Sequence, residues 1–200
     1  MNKVTVLVEG YARPGPNDSF LASSTTSLIE TSDKKILVDP GANKELLLAG
    51  LAKLNIKPEE ISLIYISHYH PDHFLNINLF PNLDIYEGTI KWRKDKEYFH
   101  SDFIPGTDIA ILPTPGHTSD HSSLLVSTKE GVICIAGDVF WWEDGQQKSE
   151  TKEDLLSFKD PYATDEKALM KSRDLVLEKA DPIIPGHGKI FKNPTRLNST

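Results

Sequence analysis

Ser67-His68-Tyr69-His70-Pro71-Asp72-His73 is the stretch that decides how this chain reads. Four of its seven residues are strong metal ligands, and three of those are histidines. The chain has seven histidines in all, so nearly half of them fall within six positions. Neutral imidazole nitrogens and a carboxylate packed this closely all need partners. Zinc or a related divalent cation suits that donor set. Directly before the stretch, Ile61 to Ile66 is an apolar run broken only by Ser62, the pattern of a strand covered on both faces. Ligands that follow such a strand sit at its carboxyl end, where layered α/β sheets place their sites.

Upstream, Val4 to Val8 is rich in β-branched residues and reads as a strand. Arg13-Pro14-Gly15-Pro16-Asn17-Asp18 breaks regular structure and reads as a surface connection or a flap. Thr25 to Thr31 and Lys35 to Val38 form a hairpin around Ser32-Asp33-Lys34 and end at Asp39-Pro40-Gly41. Asn43 to Leu54 carries Leu46, Leu47, Leu48, Leu51 and Leu54 at helical period, with Asn43 as N-cap. Pro58-Glu59-Glu60 opens a short helical turn.

Downstream, Phe74 to Phe80 continues into a short helix that Pro81 closes, and Asp84 to Tyr86 and Thr89 to Trp92 are short strands. The charged run Arg93-Lys94-Asp95-Lys96-Glu97 reads as a solvated face or loop. Ile109 to Leu112 is a strand that runs into the loop Pro113-Thr114-Pro115-Gly116-His117-Thr118. Ser122 to Thr128 and Val132 to Ala136 make a hairpin that ends at Gly137-Asp138. Residues 139–160 show no clear period. Phe140-Trp141-Trp142 within them is core packing or a wall facing a substrate. Thr164 to Ala180 is a helix capped by Thr164, and Pro182 to Ile184 is a last strand before Pro185-Gly186-His187-Gly188. No repeat or linker splits the chain, so one domain over residues 1–200 is expected, with sheet against sheet and helices outside.

The totals exclude several classes. Hydrophobic residues make up 38% and charged residues 26%, an ordinary globular balance. The formal charge of −7 weighs against a nucleic-acid backbone as the main partner. The single cysteine, Cys134, sits in an apolar strand and reads as a buried core thiol, so no disulfide framework exists. No stretch reads as a membrane span or a secretion signal, and a cytoplasmic setting is expected. The Asn198-Ser199-Thr200 sequon reads as chance.

Four separate strand ends carry candidate ligands: His68, His70, Asp72 and His73, then His117, then Asp138, then His187. Each taken alone is an ordinary turn residue. Together they offer five imidazoles and two carboxylates, enough for two metal ions about 3.5 Å apart with a shared carboxylate and a water. His121 matches no ligand position and is a candidate for substrate contact. His100 reads as a surface histidine and Asp120 as a loop carboxylate.

The order His-x-His-x-Asp-His, Pro-Gly-His-Thr, Gly-Asp, Pro-Gly-His-Gly resembles the metallo-β-lactamase fold superfamily from about Asp39 to Gly188. The resemblance implies an α/β fold, a four-layer αββα sandwich of two mixed sheets with the site at one edge. It implies that His68, His70 and His117 hold one metal, that Asp72, His73 and His187 hold a second, and that Asp138 bridges them. It also implies that Asp39 orients a histidine ligand from behind. The cofactor expected is a pair of divalent ions, zinc first, with iron or manganese as alternatives. Such a pair lowers the pKa of a shared water toward neutrality, and Asp72 can take the proton.

The fold does not name the substrate. The bridging aspartate speaks against true β-lactamase activity. Only twelve residues follow Gly188, too few for the glutathione-binding helices of glyoxalase-II-like thioesterases. A flavodoxin domain and a large nuclease insertion are likewise not found. The run Asn76-Ile77-Asn78-Leu79-Phe80-Pro81 is similar to small metallo-β-lactamase-domain proteins linked to RNA cleavage. The expected reaction is hydrolysis of an ester, thioester or lactone of a small metabolite. Phosphodiester cleavage of nucleic acid by the same chemistry is the alternative, and a metal-binding or redox-sensing domain without turnover is a third. The oligomeric state is not legible.

Overall fold

The computed structural model describes residues 1–196, so the Asn198-Ser199-Thr200 sequon lies outside the described residues. Strand alternation sorts the core into three apolar layers. In β5 (Lys35–Val38) and β6 (Leu63–Ile66), Ile36, Val38, Leu63 and Tyr65 face one way, while Leu37, Ile64 and Ile66 face the other. Both sets are buried, which is why β6 reads as an unbroken apolar run rather than an alternating one.

These strands belong to a seven-stranded mixed sheet. Its order begins with β1 (Lys3–Val8), β4 (Thr26–Glu30), β5 and β6. It continues with β7 (Asp84–Glu87), β8 (Ile90–Arg93) and β9 (Lys96–Phe99). A second, four-stranded sheet holds β10 (Ala110–Pro113), β11 (Ser122–Thr128), β12 (Gly131–Gly137) and β13 (Ile183–Pro185). The middle layer joins the sheets: Ile29, Ile36, Val38 and Tyr65 pack against Ile111, Leu124, Val126, Ile135 and Ile184.

Helices cover both outer faces. Leu47 and Leu51 of α1 (Lys44–Lys53) seat on Leu28, Leu37 and Ile64. The Asn43 side chain accepts from the Leu46 amide, so the expected N-cap is present. On the other side, α3 (Lys152–Ser157) and α4 (Glu166–Lys179) bring Leu155, Val176 and Leu177 against Cys134, Ala136 and Ile183. The architecture is therefore the αββα sandwich. Cys134 is a buried core thiol, its pKa pushed up to about 12 by burial. No helix among the described residues is long and apolar enough to cross a membrane.

Three local readings need correction. The Arg13–Asp18 stretch is not a simple break. It carries the end of β2 (Tyr11–Pro14) and the turn into β3 (Phe20–Ser23), a separate two-stranded hairpin. The charged run at 93–97 is exposed as expected, but it turns the chain from β8 into the edge strand β9. Asp165, not Thr164, caps α4, because its carboxylate accepts from the Lys167 and Ala168 amides while the Thr164 hydroxyl donates to the Gly116 carbonyl.

Topology gathers the strand ends. β5 and β6 run parallel, so Asp39 and Ser67 leave the first sheet at one edge. β12 and β13 also run parallel, so Asp138 and His187 leave the second sheet together. Ser122 ties the two edges, its amide donating to the Ser67 carbonyl at 3.0 Å and its hydroxyl bonding the Tyr65 hydroxyl at 2.6 Å.

Candidate metal centre

Beyond β6, Pro71 restrains His70 to an extended conformation (φ −79°, ψ 134°), so no helix can begin before Pro71. Proline is also favoured at a first helical position, and the single turn α2 (Pro71–Phe74) starts there. That turn carries Asp72 and His73 into the same edge. His68 and His73 are fully buried.

The structure brings all seven candidate ligands together in two groups. One holds His68, His70, His117 and Asp138; the other holds Asp72, His73 and His187. Within each group the ligand atoms lie within 4.8 Å of one another. Asp138 stands between them. Its Oδ2 is 3.2 Å from His117 Nε2 and 3.8 Å from His68 Nε2, while its Oδ1 is 3.3 Å from His73 Nε2 and 3.9 Å from His187 Nε2. Asp72 Oδ2 lies 3.1 Å from His187 Nε2.

The outward nitrogens explain why the inner ones are free. His73 Nδ1 donates to Asp39 Oδ2 at 2.9 Å, His117 Nδ1 to Asp160 Oδ2 at 2.6 Å, and His187 Nδ1 to the Tyr11 carbonyl at 3.0 Å. His68 Nδ1 bonds the Ser67 hydroxyl at 3.0 Å, and that hydroxyl itself donates to Asp39 Oδ2. Each pairing fixes a proton on Nδ1 and turns Nε2 toward the centre. His70 presents Nδ1 instead, 2.9 Å from His117 Nε2.

Three of the inward atoms, His68 Nε2, His73 Nε2 and Asp138 Oδ1, are buried with no hydrogen-bond partner. Orphaned buried polar atoms are costly, and a cation at their focus satisfies all of them at once. The protonation pattern agrees. Burial alone would depress His73 and His117, yet Asp138 and Asp39 hold His73 well above the usual histidine range. Hydrogen bonds to Asp138 and Asp160 raise His117 to about 9. Burial would raise Asp138, but His73 and His187 beside it hold it well below the carboxylate range. Burial holds His68 well below the usual histidine range. The negative potential that retains protons on His73 and His117 is the one that favours divalent cations in their place. The donor set fits a divalent metal site.

The model of the metallo-beta-lactamase superfamily matches residues 21–106. Metallo-beta-lactamase domain-containing protein 1 of Xenopus laevis is 33% identical over 203 residues, 96% of this chain and 82% of that protein. The chain belongs to the metallo-beta-lactamase superfamily. Members of the metallo-beta-lactamase superfamily are metal-dependent hydrolases, and this chain is a hydrolase of that class. A metallo-beta-lactamase candidate of Thermotoga maritima shares the fold with a TM-score of 0.74 at 19% identity, covering 96% of this chain and 99% of that one. An N-acyl homoserine lactone hydrolase shares it at 0.63 and 18% identity, covering 93% and 92%. Exodeoxyribonuclease WalJ of Streptococcus pneumoniae is 35% identical over 81 residues, 38% of this chain and 30% of that protein.

Around this metallo-beta-lactamase edge, several supporting residues were not legible in advance. Asp160, buried and bonded to His117, comes from the unpatterned segment and carries no sequence signal. His121 is buried rather than facing a substrate. Its Nε2 accepts from the Asp138 amide at 3.0 Å and its Nδ1 donates to the Thr114 hydroxyl at 2.8 Å. Burial drops its pKa to about 3, so it is a neutral acceptor that steadies the Asp138 backbone. Gly137 (φ 54°) leaves room for this contact, since a Cβ there would lie 2.7 Å from His121 Nε2. His100 is half-buried at the end of β9, packs on Tyr86 and does not join the site. Asp120 is exposed, as expected.

A cavity of about 280 Å³ opens over the two clusters. His70, Asp72, His117, Asp138 and His187 form its floor, and Trp141 is part of its wall. Of the aromatic trio, Phe140 and Trp142 are core packing against Phe191 and Leu155, whereas Trp141 reaches the cavity.

Proposed function

We propose that this chain is one metallo-beta-lactamase-like domain over residues 1–200 that binds two divalent metal ions and hydrolyses an ester, thioester or lactone of a small metabolite. The observation that carries this reading is the placement of the two carboxylate oxygens of Asp138, one toward each group of imidazoles, beside buried nitrogens with no other partner. In this reading His68, His70 and His117 hold the first ion and Asp72, His73 and His187 the second, with Asp138 shared. Asp39 and Asp160 orient His73 and His117 from behind. Zinc is the expected metal, with iron or manganese as alternatives.

When bound, such a pair supplies an acidified water and a Lewis acid for the substrate oxygen. The chain's residues do the rest. The Asp72 carboxylate is 24% exposed toward the cavity, whereas Asp138 is 6% exposed, so Asp72 is the acid group able to take a proton from an attacking water. The substrate carbonyl sits over the floor residues, with Trp141 beside it excluding water.

A structural neighbour that acts on an acyl homoserine lactone supports the carbonyl substrate. The exodeoxyribonuclease match supports phosphodiester cleavage as a second reading. The net charge of −7 and a cavity lined by no Lys or Arg among the described residues favour the first. The test compares aryl ester and bis-p-nitrophenyl phosphate hydrolysis by protein loaded with zinc, manganese or iron. Ester turnover that disappears together with bound metal in His70→Ala supports the proposal. Full ester activity in His70→Ala, or turnover of the phosphodiester alone, refutes it.

A further inference from the structure

We infer that the cavity wall above the floor residues is a subsite for an uncharged aliphatic acyl chain, with Phe20 and Tyr162 setting chain length. This rests on the hydrolase reading for its reaction and on the wall itself for its substrate class. The wall has six members: Ala12, Phe20, Ala22, Pro71, Trp141 and Tyr162. Strand alternation explains the first three. In the β2–β3 hairpin, Ala12 pairs with Ala22, and Phe20 lies two residues from Ala22 on the same face. Two alanines leave depth near the floor, and Phe20 stands at the mouth. Phe20 is 47% exposed and Tyr162 58% exposed, large apolar groups left in water beside a polar floor. Exposed apolar surface rimming a cleft marks a binding site.

The hairpin is a fixed wall. The Asp144 amide donates to the Ala12 carbonyl at 2.8 Å, Arg13 pairs with Asp144 at 2.8 Å, and the Ser24 amide donates to the Asp72 carbonyl at 3.0 Å. Among the described residues, the only ionisable groups lining the cavity besides Tyr162 are the candidate ligands themselves, so a charged chain end meets no counter-ion among them.

Size sets the length. A volume of about 280 Å³ holds about nine groups of water's size. The scissile group takes about three of these places, leaving room for about six carbons. Each methylene that is fully buried strengthens binding about fourfold, and a half-open wall gives about twofold.

The experiment uses the full chain reconstituted with zinc. It reads kcat/KM for p-nitrophenyl acetate, butanoate, hexanoate, octanoate and decanoate, together with calorimetric Kd values for the matching alkanoates. Both series are expected to improve two- to fourfold per methylene as far as six to eight carbons and then level off. Phe20→Ala is expected to lower the octanoate-to-acetate ratio about tenfold, and Phe20→Leu to keep most of it. A flat series, or a ratio unchanged in Phe20→Ala and Tyr162→Ala, overturns the subsite while leaving ester hydrolysis standing. Alkanoate affinities that rise with length in a protein that hydrolyses no ester support the subsite and overturn the hydrolase reading instead.

Discussion

Asp160→Asn is the most informative single change, because the asparagine cannot satisfy both neighbours while the His117 proton stays on Nδ1. Asp160 accepts twice, from His117 Nδ1 through Oδ2 at 2.6 Å and from the Tyr162 amide through Oδ1 at 2.9 Å. Its side chain has no exposure to solvent. An asparagine has one acceptor and one donor end. If its oxygen keeps the Tyr162 amide, its NH₂ faces His117 and forces the proton onto Nε2, the atom turned toward Asp138. If the oxygen keeps His117, the NH₂ meets the Tyr162 amide, donor against donor. The second orientation costs about 1–3 kcal/mol, the penalty of an unpaired buried polar group, and the first puts a proton on the nitrogen that would face a metal. Lost support of this kind weakens metal affinity about 10–100-fold. The assay is competition for zinc with a chromophoric chelator at pH 7.5, with thermal unfolding as the control for folding. Unchanged zinc affinity in a folded Asp160→Asn protein would refute the idea that this hydrogen bond sets the His117 tautomer.

Three further outcomes follow from the same geometry. Asp39→Ala strands the Ser67 amide, the Ser67 hydroxyl and His73 Nδ1, all now within 2.9 Å of the carboxylate. It should cost the metal-free protein at least about 3 kcal/mol, or about 6–12 °C in Tm, and a smaller loss contradicts the role given to Asp39. A Cβ at Gly186 would lie 1.8 Å from Asp138 Oδ1, so Gly186→Ala should displace that carboxylate. Metal content by mass spectrometry should fall below one equivalent with the circular-dichroism spectrum retained, and two retained equivalents contradict the placement. The metal-free protein should be most stable near pH 6.5. His73 and His117 have folded pKa values above the unfolded one, so their contribution is complete below about pH 6.5 and is lost as pH rises, that of His117 by about pH 9. His68 and His121 have depressed values, so stability also falls below about pH 6.5 as the unfolded chain takes up their protons. Differential scanning fluorimetry in chelator reads this, and a Tm that stays flat between pH 7 and 9 contradicts it.

The parts of the fold that were legible are those where one local rule suffices. β6 is buried on both faces, so its composition alone marks it. The Asn43 cap and the leucine period of α1 act within a few residues. The candidate ligands share one local signature, a Gly- or Pro-bearing turn after an apolar strand, and the structure gathers all seven. What escaped depends on contacts distant in the chain or on exposed elements. β9 has all four residues exposed, so no apolar period distinguishes it from a charged loop. The β2–β3 hairpin presents two alanines and an exposed phenylalanine toward the cavity, a face whose purpose appears only once the floor is in place. Asp160 reaches His117 across 43 residues, and His187 is oriented by a backbone carbonyl that any residue at position 11 would supply. The cap at Asp165 rather than Thr164 has a plain cause. Thr164 is drawn to the Gly116 carbonyl, leaving the next carboxylate to meet the first turn of α4.

In the proposed binuclear site, Asp138 stands between two sets of imidazoles and is shared by both metals. Anomalous diffraction from crystals of the zinc-reconstituted protein tests it most directly. Two peaks are expected, one among His68, His70 and His117 and one among Asp72, His73 and His187, with Asp138 bound to both. A single fully occupied peak, or two peaks that Asp138 does not join, would contradict it.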